Sequence, residues 1–343
     1  MIVFSCAKTG GHIYPAISVA QELDMSALFI TTPGKQQQAI ITRYGYDVSL
    51  IPELGFNPFV WVMAFFKSCL ILTKSKAKGV VCTGGAVSCM VAFVAWLYRI
   101  PVIVLEQNCL PGRANRLCQR FATKVCVSFE ESSSYFKQSK VVVTGNPVRK
   151  TYFSDACFQQ FKKESLGGSP VILVFGGSQG ALWMNEWIQK QYDFFLNNKY
   201  VLLHITGADF YKKHYSDPFY HVVSDSENRK KIYTFPYFEK MDYLYSLSDL
   251  VICRAGATSI AELLHFKTPS ILVPYPYAAD QHQLLNAKSL EKQNLSVCIE
   301  QPDMVFSKVQ KNFSVYIEKQ RVQLEESYNV ARQQVAEIVE CVL

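Results

Sequence analysis

The sequence predicts an α/β protein of two doubly wound parallel-sheet domains, and three observations predict it. Paired glycines follow a short apolar run and precede a helical pattern at three separate places. Further apolar runs alternate with helix-like segments along the chain, as a parallel sheet requires. The length, 343 residues, suits about two domains, each able to bury its own core. A mean hydropathy near zero, with 49% hydrophobic and 18% charged residues, excludes a disordered, collagen-like or disulfide-stapled chain.

Taken in order, Ile2 to Cys6 reads as a strand, Ala7-Lys-Thr-Gly-Gly-His12 as a turn, and Pro15 to Leu23 as a helix. The same grammar returns at Val80 to Cys82 with Thr83-Gly-Gly-Ala-Val-Ser88, and at Val171 to Phe175 with Gly176-Gly-Ser-Gln-Gly-Ala181. Other predicted strands are Ala27 to Thr31, Val102 to Leu105, Lys124 to Val127, Val141 to Thr144, Val201 to Thr206, Lys231 to Phe235, Leu250 to Cys253 and Ser270 to Val273. Gly145-Asn-Pro-Val-Arg149 closes one unit, and a polar segment up to Gly167-Gly-Ser-Pro170 precedes the next strand. The expected domains are therefore residues 1–148 and 149–324. The last helix-like stretch is long enough for residues 325–343 to pack back on the first domain.

The apolar stretches Phe59 to Phe66 and Ala86 to Tyr98 fall short of the roughly 18 residues that a membrane-spanning helix needs. The N-terminus lacks a basic region and a cleavage site, so a cytoplasmic location is expected. Eleven cysteines without a C-x-x-C pair fit neither a disulfide framework nor a zinc site and read as reduced, mostly buried small hydrophobes.

Charge is uneven. Residues 1–150 carry 16 Lys and Arg against 7 acids, whereas residues 151–343 carry 19 against 21. Within the basic half, Phe59, Trp61, Phe65 and Phe66 stand close to Lys67, Lys74, Lys76 and Lys78, as on an interfacial helix at an anionic bilayer. The alternative is a buried helix with a solvated basic end. No nucleic-acid-binding motif is present, and no nucleic-acid partner is expected.

Glycine turns after strands let backbone approach a ligand while the next helix aims N–H groups at it, which suits phosphate; the plainer alternative is a tight turn. None of the three spells a dinucleotide fingerprint or a Walker loop. His12 opens the first helix, where the dipole disfavours imidazolium, so the ring could serve as a general base or simply bond the loop backbone. Glu262, three residues after Ser259, either caps a helix or accepts ribose hydroxyls. Asp280-Gln-His-Gln-Leu-Leu-Asn-Ala287 gathers amide and imidazole groups suited to sugar hydroxyls.

In order along the chain, Thr9-Gly-Gly-His-Ile-Tyr-Pro-Ala16, Thr83 to Ser88, Glu106-Gln-Asn108 with Pro111 to Asn115, Gly145 to Arg149, Gly176 to Ala181, Cys253 to Ala257 with Glu262, and Asp280 to Ala287 resemble the MurG family. The resemblance implies a GT-B fold, two Rossmann-like domains facing a cleft. It also implies inverting transfer of GlcNAc from UDP-GlcNAc to the C4 hydroxyl of MurNAc in undecaprenyl-diphospho-MurNAc-pentapeptide (lipid I), giving lipid II for peptidoglycan and hence cell-wall growth, shape and division. No cofactor is implied, and enzymes of this fold usually need no bound metal. The C-terminal domain would hold the donor through Ser178, Gln179, Phe238, Ala257, Thr258, Glu262, His282 and Gln283, with Arg149 near the phosphates. The N-terminal domain would hold the acceptor through Thr9, Gly10, Gly11, Thr83, Gly84, Gly85, Ser88, Glu106 and Asn108, with His12 as the candidate base. The Phe59 to Lys78 stretch sits where such enzymes dock on the inner leaflet, implying a peripheral place on the cytoplasmic membrane face. Three acceptor-side positions depart from the family pattern: Lys8, Leu105 and Cys89-Met90. The alternatives are a GT-B UDP-sugar transferase acting on another lipid, a UDP-GlcNAc 2-epimerase, or a scaffold that binds donor without turnover.

Overall fold

Alternating apolar strands and glycine-led helices assemble into two seven-stranded sheets, one in each of two units. The first unit is Met1–Lys150 with Asn329–Leu343, and the second is Thr151–Tyr328. The computed structural model describes residues 1–7, 9–23, 25–149, 166, 168–177, 179–227, 229–311, 313–327, 338, 340 and 341.

In the first unit, β1 (Ile2–Ser5), β2 (Ala27–Thr31), β3 (Asp47–Leu50), β4 (Gly79–Cys82), β5 (Val102–Glu106), β6 (Lys124–Val127) and β7 (Val141–Val143) are all parallel, in the order β3-β2-β1-β4-β5-β6-β7. The period of two is visible in the packing. Val3, Val80, Val102, Val104, Val125 and Val127 face one side with helix Ala86–Leu97, while Phe4, Phe29, Val81, Ile103 and Leu105 face the other with helix Gly10–Glu22. Burying each such side chain contributes about 1.5–3 kcal/mol, and continuous apolar runs are how a sheet covered on both faces reads in sequence. Ile338 is fully buried among this second group, and Cys341 packs beside it.

The second unit holds β8 (Val171–Phe175), β9 (Val201–Ile205), β10 (His221–Ser224), β11 (Lys230–Phe235), β12 (Leu250–Cys253), β13 (Ser270–Leu272) and β14 (Val297–Cys298), ordered β10-β11-β9-β8-β12-β13-β14. Its pairs are parallel except for the hairpin-like β10–β11. Ile172, Val174, Leu202, Ile232, Leu250 and Ile252 pack against Met184, Ile188, Phe195, Phe306 and Phe313 on one face.

Both sheets change direction of strand addition once, between β1 and β4 and between β8 and β12. In an open α/β sheet, the crevice beyond the C-terminal ends of such a strand pair is where ligands bind. The turns after β1, β4 and β8 are the three paired-glycine turns of the sequence and the turn after β12 carries Gly256, so topology singles out the same places.

Candidate active site

In the first unit the turn after β1 meets the turn after β4. Thr9, in extended conformation, precedes helix Gly10–Glu22, and its carbonyl accepts from the backbone N–H groups of His12 and Ile13. The His12 ring reaches across to the next strand's turn, with Nδ1 2.5 Å from the Thr83 carbonyl oxygen. A carbonyl can only accept, so Nδ1 carries the proton and the lone pair lies on Nε2. That is the tautomer a general base needs. Gly84 makes the approach possible: its φ is +129°, and a Cβ there would stand 2.6 Å from His12 Cε1.

The surrounding polar groups hold this turn from behind. Thr83 N–H donates to Ser5 O at 3.0 Å, and the fully buried Ser88 has Oγ 2.7 Å from Gly84 O and 3.0 Å from Ser5 O. Glu106, buried at the end of β5, accepts from Asn108 N–H at 2.9 Å, Gly112 N–H at 3.0 Å and Asn115 Nδ2 at 2.9 Å. Burial pushes its carboxyl above the usual range, and those donors pull it back. Ser88, Glu106 and the Thr83 side chain therefore turn inward. In that arrangement they shape the loops that Gly10, Gly11, Gly85 and Asn108 line.

The three departures fare differently. Leu105 is core, and its carbonyl takes Asn115 Nδ2 at 3.0 Å. Cys89 fills the gap to helix Arg113–Cys118, its Sγ 3.2 Å from Cys118 Sγ and 3.3 Å from Ala114 O. Lys8 lies outside the described residues. Arg149 places its guanidinium 4.4 Å from the centre of the Tyr14 ring, two residues beyond His12.

In the second unit the turn after β8 is set by backbone crowding. A Cβ on Gly180 would lie 2.0 Å from Thr206 O, so the turn presses directly on the end of β9. Gln179 is exposed there, and Ser178 lies outside the described residues. After β12, helix Ala257–His265 begins behind Gly256, which places Ser259 inside the helix and removes the capping reading of Glu262. Instead Glu262 is buried and accepts from Tyr245 Oη at 2.9 Å. Ala257 and Thr258 form the first turn of the same helix, and the enclosed Thr258 Oγ1 has no hydrogen-bond partner among the described residues, a hydroxyl that a ligand could satisfy. Phe238 follows β11 half-buried, edge-on to Phe235 at 5.2 Å.

His282 and Gln283 open helix His282–Lys292 after two successive left-handed residues, Asp280 and Gln281, with φ of 50° and 53°. His282 Nδ1 bonds Ala279 O at 2.6 Å, which directs its lone pair to Nε2, and Gln283 Oε1 accepts from Tyr275 N–H at 3.0 Å, which leaves its NH₂ as donor. One acceptor and one donor side by side suit sugar hydroxyls. Sequence reasoning missed Tyr245, and it missed the buried Arg254, whose Nη1 donates to Val273 O and Pro274 O and whose Nη2 donates to Gln301 Oε1, beneath the Tyr275 ring at 5.3 Å. No local pattern signals either, because their partners lie far away in the chain.

A separate face of the first unit carries the basic aromatic stretch. Asn57 caps helix Pro58–Lys74 by accepting from Phe59 N–H, with Pro58 at the first helical position. This helix buries its small face, Ala64, Ser68 and Leu72, and turns Phe59, Trp61, Val62, Met63, Phe66 and Leu70 to solvent. Phe59 is 68% and Phe66 65% exposed, against the buried-helix alternative. Phe65 is half-buried and touches Phe93; Lys67, Lys74, Lys76 and Lys78 are exposed. Trp96, Leu97 and Tyr98, at the end of helix Ala86–Leu97, are exposed as well and were not foreseen. Among the described residues, no helix is long and apolar enough to cross a membrane.

Residues 2–127 match the glycosyltransferase family 28 N-terminal domain, and residues 171–342 match the family 28 C-terminal domain. A UDP-N-acetylglucosamine–N-acetylmuramyl-(pentapeptide) pyrophosphoryl-undecaprenol N-acetylglucosamine transferase of Halothermothrix orenii is 35% identical over 321 residues, 88% of this chain and 86% of the relative. The crystal structure of Acinetobacter baumannii MurG superposes with a TM-score of 0.72 at 26% identity, covering 99% of this chain and 98% of that one. A UDP-GlcNAc 2-epimerase of Neisseria meningitidis shares the fold at 13% identity, with a TM-score of 0.62 over 99% of both chains.

Proposed function

We propose a function from one premise: this chain belongs to glycosyltransferase family 28 and, within it, to the MurG family. It is an inverting transferase that moves GlcNAc from UDP-GlcNAc to the C4 hydroxyl of MurNAc in the polyprenyl-diphosphate-linked muramoyl-pentapeptide, making lipid II. The observation that carries the chemistry is the His12 ring, fixed by the Thr83 carbonyl with its lone pair on Nε2.

In this reading Nε2 removes the proton from the C4 hydroxyl as that oxygen attacks the anomeric carbon from the face opposite UDP. The C1–O bond breaks, and the electron pair leaves with the β-phosphate. Backbone N–H groups of the Gly176 to Ala181 turn and the start of helix Leu182–Gln189 meet that charge. Glu262, steadied by Tyr245, receives the ribose hydroxyls; Thr258 and Ala257 line the same turn; Phe238 offers its backbone to uracil; His282 and Gln283 read the GlcNAc hydroxyls. Thr9, Gly10, Gly11, Gly84 and Gly85 hold the acceptor diphosphate, with Asn108 near the reacting sugar, and Arg149 serves the donor phosphates.

The apolar stripe of helix Pro58–Lys74 with its lysines supports a reading in which the enzyme docks on an anionic inner-leaflet surface and works peripherally on the cytoplasmic side. An epimerase would leave that stripe without purpose, and its likeness extends to the fold alone. Following UDP release with and without the lipid-linked acceptor tests the reading. A transferase releases UDP in proportion to acceptor, and release or conversion of donor indifferent to acceptor would sink it.

A further inference from the structure

Beneath the second sheet runs a buried polar chain that the mechanism above does not use. His204, fully buried on β9, has Nδ1 2.9 Å from Tyr192 Oη and Nε2 3.1 Å from Asn185 Oδ1. Asn185 Nδ2 donates to the Thr206 carbonyl at 2.8 Å. The last contact fixes all the others. Because Nδ2 is the donor, Oδ1 must accept, so His204 carries its proton on Nε2 and accepts from Tyr192 on Nδ1. Tyr192 Oη in turn lies 3.2 Å from Tyr215 Oη and 3.3 Å from Thr234 Oγ1, and Gln189 Nε2 donates to Tyr215 Oη at 2.9 Å.

The chain ends at a sensitive place. The Thr206 carbonyl is the atom that Gly180 lies against, and Thr206 N–H donates to Phe235 O at 3.0 Å, while its Oγ1 lies 3.0 Å from Gly207 O and 3.3 Å from Phe235 O. Asn185 also belongs to the helix that opens from the glycine turn, its N–H donating to Ala181 O at 2.9 Å. The Asn185 amide therefore ties the helix that follows the turn after β8 to the end of β9, and Thr206 N–H carries the tie on to the end of β11 that leads to Phe238.

We propose that His204 is a positioning residue for the nucleotide donor, acting through Asn185 and the Thr206 carbonyl to hold the glycine turn and the loop after β11 in register. The proposal rests on the donor reading given above. A buried, fully determined chain of hydrogen bonds specifies one arrangement where an apolar core would tolerate several. The ring is neutral, pushed down to about 3 by burial, so it adds order without placing a charge near a diphosphate.

The test compares UDP affinity by calorimetry with amide exchange at Gly180, whose N–H donates to Gly177 O at 3.0 Å, in the ligand-free full-length protein. His204→Leu should weaken UDP binding about tenfold, the loss of roughly one hydrogen bond, and speed exchange at Gly180. His204→Gln keeps a donor where Nε2 stands and should stay within about twofold of the unaltered protein. Asn185→Asp, which sets an acceptor against the Thr206 carbonyl, should behave as His204→Leu and serves if the leucine variant does not fold. Phe195→Leu, in the same core, should lower Tm and leave UDP affinity unchanged. Unaltered UDP affinity and Gly180 exchange in His204→Leu or Asn185→Asp would overturn the proposal, as would an equal loss of affinity in Phe195→Leu. Failure of the unaltered protein to bind UDP would instead overturn the donor reading itself, and exchange at Gly180 would still report on the relay.

Discussion

His12 Nδ1 stands 2.5 Å from the carbonyl oxygen of Thr83, a residue 71 positions away in the chain. The contact exists because β1 and β4 are neighbours in the sheet, and both end in glycine turns. It fixes the imidazole tautomer, orients the ring, and joins the two loops assigned to the acceptor.

His12→Ala should lower kcat by about 10²–10⁴, the usual share of a general base, and leave UDP affinity unchanged. Steady-state kinetics with calorimetry separate the two. A matching loss of UDP affinity would place His12 in the donor site instead.

Gly84→Ala should reproduce much of that loss without touching the imidazole chemistry. The new methyl would crowd His12 Cε1 at 2.6 Å, at a φ of +129° that an alanine resists. Unchanged kcat in a folded Gly84→Ala protein would show that the His12 position tolerates more freedom than this contact implies.

Glu262→Ala should raise the donor KM by about 10–100-fold, the range for losing hydrogen bonds to a charged group, and Tyr245→Phe should raise it less. The order of the two matters. A larger effect of Tyr245→Phe would mean that Glu262 serves the fold rather than the ribose.

Replacing Phe59 and Phe66 with serine should weaken sedimentation with anionic vesicles, since each phenyl buried in the interface contributes about 1.5–3 kcal/mol. Lys67→Gln with Lys74→Gln should lower binding by about 1 kcal/mol per charge, an effect that disappears at high salt. Binding that ignores all four changes would move the membrane contact elsewhere.

Stability of the second unit should fall between pH 7 and 4.5. Burial lowers the His204 pKa from 6.5 to about 3, so the native ring stays neutral while the unfolded one takes up a proton. Its contribution is complete above the unfolded value and is lost as pH drops through that window, about 2–3 kcal/mol by pH 4.5. Urea unfolding at both pH values should show a steeper loss in the unaltered protein than in His204→Gln; parallel losses would contradict the buried neutral ring.

What could be read from the sequence divides along physical lines. The buried strands of both sheets were legible because strands covered on both faces are continuous apolar runs. The strands that escaped notice, β3, β10 and β14, are three of the four sheet edges: partly exposed, short, and in β10 antiparallel, with Asp47-Val-Ser-Leu50 carrying no such run, whereas the fourth edge, β7, shows as Val141-Val-Val143. The glycine turns announced themselves through residue type. The inward turn of Ser88 and Glu106 did not: Ser88 bonds Ser5 on a strand 83 residues away, and Glu106 bonds the path that its own following loop takes back to Gly112 and Asn115, neither of which residue type announces. Trp96, Leu97 and Tyr98 escaped for the opposite reason: composition does not distinguish an apolar residue left in solvent from one in the core.

The most direct test of the central claim is transfer of labelled GlcNAc from UDP-GlcNAc to a lipid I analogue, with product isolated in the lipid fraction. The expected result is acceptor-dependent labelling of the lipid, matched by UDP released, and abolished or strongly reduced in His12→Ala. Tight UDP-GlcNAc binding with no labelled lipid, on an acceptor that a related enzyme accepts, would contradict it.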